Sequence, residues 1–184
     1  MEELIMYFST IKNCDIANGI GVRVSIFVSG CTNHCKNCFQ PETWNFEYGK
    51  EFTDEEQAKL IKMLEPSYIN GLTILGGEPM EPANQPGVLK LIQAVRKALP
   101  NKTIWIYSGF TYEDLMTDGK YCHTKDTEKI LREIDTLVDG RFVEELHELT
   151  LRFRGSSNQR LIDTKKTFAN NGKVILMDIK DRKL

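Results

Sequence analysis

The stretch VRVSIFVSGCTNHCKNC, residues 22–38, joins an apolar run to a loop that carries three of the chain's five cysteines. Valine, isoleucine and phenylalanine at the start of the stretch favour a buried strand. The strand is followed at once by a Cys-x3-Cys-x2-Cys loop, which is formed by Cys31, Cys35 and Cys38. The stretch therefore predicts a strand that places three thiols at its carboxyl end.

Further apolar runs along the chain alternate with segments of helical period. The runs are LTIL from Leu72, TIWIY from Thr103, VILMD from Val174 and the weaker DTLVD from Asp135. Residues 53–64, 87–99 and 126–134 have the helical period. Strands that are apolar almost throughout and alternate with helices predict right-handed βαβ units and a parallel sheet buried on both faces.

Each helical segment predicts an apolar face that packs on the sheet. The first segment begins with a capping box, in which Glu56 follows Thr53 by three residues. The predicted apolar faces are Ala58, Ile61 and Leu64 in the first segment, Val88, Leu91, Ile92, Val95 and Leu99 in the second, and Ile130, Leu131 and Ile134 in the third.

Small or polar residues follow each strand of the predicted sheet. The carboxyl ends of parallel strands lie on one side of a sheet, and ligands bind on that side. We therefore expect the cysteine loop to meet the turns that follow the other strands. These turns contain Gly76, Gly77 and Glu78, then Ser108 and Gly109, and finally Asp139 and Gly140.

The chain length limits the number of βα units. A closed barrel of eight units typically takes about 250 residues, whereas this chain has 184 and shows no composition shift typical of a linker. We predict a single domain over residues 1–184, of the α/β class, built as an incomplete parallel (βα) barrel open on one side.

The charge balance and the start of the chain indicate which partners and which location to expect. Lys and Arg number 24 against 26 Asp and Glu, so no overall basic field is available to bind nucleic acid. The start, MEELIMYFSTIKN, fits neither a signal peptide nor a membrane span, and the closing KDRKL is predicted to be a solvated tail. We therefore expect a cytoplasmic location, no membrane partner and reduced thiols, which favours metal or redox chemistry at the cysteine loop.

The number of thiols in the loop distinguishes two kinds of metal site. Three thiolates at this spacing can hold three irons of a cubane cluster and leave the fourth iron open. The alternative is a structural zinc ion, with His34, Cys14 or Cys122 as the fourth ligand. Structural zinc sites usually consist of two separated pairs of ligands, and no second pair follows here. The cluster is favoured, and zinc remains the alternative.

The cysteine loop after the first strand, together with GGEP at residues 76–79 after the second, resembles the radical S-adenosylmethionine superfamily. The resemblance implies a barrel of the radical S-adenosylmethionine type and a [4Fe-4S] cluster on Cys31, Cys35 and Cys38. It also implies that S-adenosylmethionine binds the free iron. The residues implied to contact S-adenosylmethionine are Gly76, Gly77 and Glu78 at its methionine moiety and Ser108 at its ribose.

Five further motifs are similar to those of the activating proteins of anaerobic ribonucleoside-triphosphate reductases. They are NGIGVR (18–23), FVSGC (27–31), TW (43–44), LVDGRF (137–142) and RGSSNQR (154–160). This resemblance implies an enzyme that cleaves S-adenosylmethionine reductively and generates a glycyl radical on the large subunit of the reductase. A one-electron donor such as flavodoxin or ferredoxin is implied as a further partner. One departure is Asn37, where many superfamily members carry an aromatic residue.

Several alternatives remain open from the sequence. The enzyme could activate another glycyl-radical enzyme or act on a small molecule, and the alternative from another class is a non-catalytic zinc-binding module. Asp139 is either a turn residue or part of the site rim, and RGSSNQR is either a solvated loop or an anchor for a carboxylate or a partner's backbone. No side chain is assigned a catalytic role, because radical abstraction needs no general base.

Overall fold

Seven strands form one mixed sheet in a computed structural model that describes residues 5–181 of the chain. The last three residues of the predicted tail KDRKL lie outside the described residues. The strands are β1 (Tyr7–Asp15), β2 (Val22–Val28), β3 (Lys50–Glu51), β4 (Ile69–Gly76), β5 (Thr103–Ser108), β6 (Thr136–Asp139) and β7 (Arg160–Asp163). The helices are α1 (Asp54–Leu64), α2 (Gln85–Ala98), α3 (Tyr112–Met116), α4 (Thr127–Glu133) and α5 (Thr164–Ala169), with 3-10 helices at Pro41–Trp44 and Glu144–Leu146.

The sheet is parallel at its centre and antiparallel at its edges. Its strand order is β3-β1-β2-β4-β5-β6-β7, and it does not close. The neighbouring strands β2, β4, β5 and β6 are parallel, as predicted. By contrast, β1 pairs antiparallel with β2 and β3, and β7 pairs antiparallel with β6. The α/β class is confirmed, and the wholly parallel sheet is wrong.

The run VILMD, which we predicted to be a strand, is not one. Within it only Leu176 forms an isolated bridge, to Ile162 of β7. The backbone touches the edge of β7 where Met177 N–H donates to Leu161 O at 2.8 Å. Met177 and Ile179 then pack on the cluster around Trp105 instead of extending the ladder. Val174, Ile175 and Met177 are half-buried and Leu176 is 56% exposed, so the apolar run indicated neither a paired strand nor a buried one.

The helices α1 to α5 all pack on one face of the sheet. The predicted faces of α2 and α4 are buried, apart from Leu99, which is half-buried. In α1 the predicted capping box is confirmed in part: the Thr53 hydroxyl accepts from Glu56 N–H at 3.3 Å, whereas Thr53 N–H donates to Glu51 O and not to the Glu56 side chain. Its predicted face is wrong in part, because Ala58 is exposed while Leu60 and Leu64 are buried. The two leucines bury far more apolar surface than one alanine, which sets the rotation of the helix.

The opposite face of the sheet is covered by irregular chain. Trp105, Val138 and Leu161 form a second buried cluster there, against which Phe153 and Met177 pack. Both faces are thus buried, but helices cover only one of them. Among residues 5–181, no helix combines the length and apolar character that crossing a membrane would require.

Arg23, from the NGIGVR motif, is buried on this second face. Its guanidinium donates to Thr73 Oγ1 and to Leu72 O, each at 2.7 Å, and lies 5.3 Å from the centre of the Trp105 ring. It also donates to Ile20 O at 3.2 Å. Burial lowers the pKa of Arg23 to about 10, so the side chain stays charged at neutral pH. Arg23 ties the loop before β2 to the amino end of the sheet.

Candidate iron-sulfur site

The loops that follow the four parallel strands meet at the carboxyl edge of the sheet, as predicted. Glu78 N–H, after β4, donates to Gly30 O, after β2, at 2.8 Å. Gly109 N–H, after β5, donates to Glu78 Oε2 at 2.6 Å. Arg141, after β6, donates to the carbonyl of Asn33 at 2.7 Å. One network of hydrogen bonds therefore joins all four loops.

The cysteine loop presents three free thiols within this network. Cys31 is buried, and Cys35 and Cys38 are half-buried. The loop turns sharply at His34 and Asn37, whose φ angles are 45° and 55°, and Cys38 N–H donates to Cys35 O at 3.1 Å. Asn tolerates this left-handed region better than most residues. The bends bring the three cysteines to one end of the sheet.

The 3-10 helix Pro41–Trp44 fixes the start of the cysteine loop. Gly30 N–H donates to Thr43 O at 2.7 Å, and Cys31 N–H donates to Trp44 O at 3.4 Å. The Trp44 ring also lies against the imidazole of His34, with 4.5 Å between ring centres. The predicted TW motif is therefore a structural support of the cysteine loop.

Burial and its opposing contacts set the pKa of two of the loop cysteines, Cys31 and Cys35. Burial raises the pKa of Cys31 to about 11, and hydrogen bonds from the amides of Asn33 and His34 act in the opposite direction. Burial also raises the pKa of Cys35, which the charge of Arg141 opposes. Hydrogen bonds to sulfur are a feature of cluster ligation. Three free thiols in one loop are the donor set that holds one corner of an iron-sulfur cubane.

The same loop does not form a site for a single ion. Across the described part of the chain, no group of three or more His, Cys, Asp or Glu side chains is placed to hold one metal ion. Cys14 lies in β1 next to Asp15, which pairs with Arg23 at the amino end of β2, opposite Cys31. Cys122 is buried in the core on the helix-covered face of the sheet. Neither cysteine completes a zinc site with the loop.

The Glu78 carboxylate is directed into the protein. Its Oε1 accepts from Met80 N–H at 2.9 Å, and its Oε2 accepts from Gly109 N–H and, at 3.1 Å, from Asn33 Nδ2. Burial raises the pKa of Glu78 to about 7, although these amides favour the charged form. Glu78 thus joins its own turn to the cysteine loop and to the turn after β5. The Ser108 hydroxyl, which also bonds Glu78, accepts from Phe110 N–H at 3.0 Å.

The glycine pair allows the turn after β4 to pack directly on the cysteine loop. A Cβ atom on Gly77 would lie 2.6 Å from Gly30 O and 2.9 Å from Thr43 O. Gly76 has a φ of 111°, which disfavours residues with a side chain. Both glycines are therefore required by the backbone geometry of the site, whatever they bind.

Asp139 is a fully buried carboxylate that pairs with Arg160, whose side chain is 31% exposed. Its Oδ1 accepts from Arg160 Nε at 2.9 Å, and its Oδ2 accepts from Tyr112 N–H at 2.7 Å. Arg160 also pairs with Glu113 at 2.6 Å, and the two carboxylates raise its pKa. Because Asp139 is fully buried, the structure supports the turn interpretation and not a place on the rim.

Three side chains of RGSSNQR, those of Arg154, Asn158 and Gln159, donate to groups within the chain. Gln159 Nε2 donates to Gly140 O at 2.9 Å, and Asn158 Nδ2 donates to Arg141 O at 2.8 Å. Arg154 pairs with Asp181 at 2.6 Å. The motif thereby holds the segment that follows β6 against the cysteine loop.

Several site residues were missed from the sequence. Asn33 and Arg141 connect loops, and Glu81 accepts hydrogen bonds from Thr32 inside the cysteine loop. Asn37 donates to Glu144, which also pairs with Lys36 at 3.1 Å, so the loop is tied to the 3-10 helix Glu144–Leu146. The available signal was the density of polar residues between the cysteines, together with a second glutamate after the GGEP motif.

Most of the chain matches a known family of iron-sulfur domains. The profile of the 4Fe-4S single cluster domain family matches residues 17–162, a span that contains the cysteine loop and all four parallel strands. The fold and the site thus define a protein with a 4Fe-4S domain.

Individual relatives identify the family within this class. The chain is 40% identical over 147 residues to the anaerobic ribonucleoside-triphosphate reductase-activating protein of Vibrio cholerae, covering 79% of this chain and 90% of that protein. It is 37% identical over 156 residues to the protein of that name from Enterobacteria phage T4, covering 85% and 93%. The Escherichia coli K12 protein of that name is 37% identical over 147 residues, covering 79% and 90%. The chain belongs to the family of anaerobic ribonucleoside-triphosphate reductase-activating proteins.

Proposed function

We propose that this chain activates an anaerobic ribonucleoside-triphosphate reductase by generating a glycyl radical on its large subunit. The observation that carries the proposal is the joining of the cysteine loop to the Gly-Gly-Glu turn and to the turn after β5 through Glu78. Three thiols that hold three irons leave one iron open, and the adjacent loops are where a ligand of that iron would be bound. The names of the relatives supply the protein substrate.

Cys31, Cys35 and Cys38 would hold a [4Fe-4S] cluster. When bound there, the cluster would supply one electron for the cleavage of S-adenosylmethionine to methionine and a 5'-deoxyadenosyl radical, and that radical would take a hydrogen atom from a glycine of the reductase to give 5'-deoxyadenosine and a glycyl radical. The electron would come from a cytoplasmic donor such as flavodoxin or ferredoxin. This assignment makes the chain a radical S-adenosylmethionine enzyme with an incomplete barrel of that type.

The remaining residues of the site would orient S-adenosylmethionine and the substrate glycine. Gly76 and Gly77 carry no side chains, so their backbone can approach the methionine moiety closely. Glu78 would set the position of this turn, and Ser108 would lie near the ribose. Positioning of this kind is the contribution that a protein makes where a cofactor supplies the chemistry.

The proposal is tested by iron content and by product formation. The chain, purified and reconstituted without oxygen, is expected to bind about four irons and four sulfides per chain. With dithionite and S-adenosylmethionine, it should release 5'-deoxyadenosine. Replacement of any one of Cys31, Cys35 and Cys38 by Ala should abolish product, because a corner iron loses its ligand.

Cys14→Ala is the matched control for these variants. Cys14 is an exposed free cysteine of β1 and lies beside the amino end of β2, at the other end of that strand from Cys31. This variant should therefore retain the full iron content and activity. Zinc at one per chain, with no iron and no 5'-deoxyadenosine, would contradict the proposal and favour a zinc-binding module.

A further inference from the structure

We propose that Glu81 is a positioning residue that holds the cysteine loop in the shape that binds the cluster. The proposal rests on the iron-sulfur assignment above and adds a residue to it. Glu81 lies three positions after Glu78, beyond the turn that follows β4. It is fully buried, although glutamate is rarely found in a protein interior.

Both carboxylate oxygens of Glu81 accept hydrogen bonds from other loops. Oε1 accepts from the backbone amide of Thr32 at 2.7 Å and from its hydroxyl at 2.6 Å. Oε2 accepts from the hydroxyl of Tyr121 at 2.8 Å. The carboxylate therefore lies between the cysteine loop and the segment that joins α3 to α4.

Burial of this carboxylate is not compensated by a cation. Within residues 5–181, no Lys, Arg or His forms an ion pair with Glu81. Removing a carboxylate from water without a countercharge is costly unless hydrogen bonds replace its hydration. All three hydrogen bonds come from two residues, Thr32 and Tyr121. The buried carboxylate therefore fixes the positions of Thr32 and Tyr121.

Thr32 lies directly after Cys31, the first cysteine of the loop. Glu81 accepts from Thr32 while Glu78 accepts from Asn33, so two buried carboxylates hold successive residues of the loop. Loss of the Glu81 contact would free the loop directly beside Cys31.

Tyr121, which donates to Glu81 Oε2, reaches the surface of the protein. Its side chain is 62% exposed, and its ring lies 6.3 Å from that of Phe110, between ring centres. Removal of the hydroxyl alone should remove the hydrogen bond to Glu81 Oε2 without disturbing the core. Tyr121→Phe is therefore a mild test of the Oε2 contact, and Thr32→Val is the corresponding test of the hydroxyl contact at Oε1.

The experiment measures how fast reconstituted protein loses iron to a ferrous chelator without oxygen, together with the electron paramagnetic resonance spectrum of the reduced cluster. Glu81→Ala is expected to lose iron about tenfold faster than the unaltered chain, the order of magnitude for losing hydrogen bonds that orient the ligands of a metal. Glu81→Gln should restore retention to within about twofold, since a glutamine can accept from Thr32 and donate to the Tyr121 oxygen. Tyr121→Phe and Thr32→Val should lie between these limits.

Glu128→Gln is the matched control, because Glu128 is an exposed residue of α4 that pairs with Arg132. It should retain iron as the unaltered chain does. If Glu81→Ala lost iron no faster than the unaltered chain, the proposal would be overturned. If Glu81→Ala did not fold, the same result for both Tyr121→Phe and Thr32→Val would overturn it. Loss in Glu81→Gln as fast as in Glu81→Ala would also overturn it, because charge and not hydrogen bonding would then be responsible. Failure of the unaltered chain to bind iron would instead contradict the proposed function.

Discussion

Gly77 lies directly against two backbone carbonyl oxygens, those of Gly30 and Thr43. An added Cβ would meet Gly30 O at 2.6 Å, and both groups belong to backbone that cannot rotate away. Gly77→Ala should therefore lower the free energy of unfolding by about 2–3 kcal/mol, the range for overpacking in a rigid environment. Urea unfolding of the cluster-free chain under reducing conditions measures the change.

Gly119→Ala separates this clash from backbone strain. Gly119 has a φ of 81°, and nothing lies within 4 Å of an added Cβ. Its substitution should cost only about 1 kcal/mol, the penalty for a side chain in the left-handed region. If Gly77→Ala unfolded at the same urea concentration as the unaltered chain, the close packing of the two loops would be refuted.

Single residues also mark the limit of prediction from the sequence. The cysteines and the glycine pair could be placed together, because residues after parallel strands share one edge of the sheet. Glu81 could not be placed, because its partner Thr32 is 49 residues away and neither residue forms a recognisable motif. Asn33 likewise acts through loops that meet only in the folded chain.

At the scale of elements, Arg160 fastens the start of β7 to α3. It pairs with Asp139, which is fully buried at the end of β6, and with Glu113 of α3. Arg160→Leu would leave the Asp139 carboxylate buried without its cation. We expect a loss of about 2–4 kcal/mol in the free energy of unfolding, because breaking a buried pair on one side is more costly than the pair is stabilising.

Lys59→Gln serves as the control for this prediction. Lys59 pairs with Glu55 and Glu56 on the exposed surface of α1. Its loss should leave the unfolding midpoint unchanged, as for most surface pairs. An equally small effect of Arg160→Leu in the same urea titration would show that the buried pair does not hold β7 in place.

The elements were predictable where apolar character coincided with a regular period. The central strands and the buried faces of α2 and α4 followed from the sequence for this reason. The strand β1 did not, because most of its side chains are exposed or half-buried, as is usual for a strand near an edge. The run VILMD was misleading for the converse reason, since its apolar residues are half-buried or exposed, and Leu176 forms only an isolated bridge to Ile162.

At the scale of the whole molecule, the open sheet places all four parallel strand ends on one side. Four parallel strands with antiparallel edges leave the site bounded by loops and not enclosed by further βα units. Chain length was enough to predict that the sheet would not close. The antiparallel strand β7 was not predicted, because Arg160–Asp163 is a run of only four residues with a charged residue at each end.

The central claim is that this chain generates a radical on a glycine of a reductase. The most direct measurement is electron paramagnetic resonance of the anaerobic ribonucleoside-triphosphate reductase after incubation, without oxygen, with the reconstituted chain, dithionite and S-adenosylmethionine. We predict a doublet typical of a glycine-centred radical, which is absent with Cys35→Ala and present with Cys14→Ala. A reductase that stays without this signal, while the cluster is intact and S-adenosylmethionine is bound, would contradict the account.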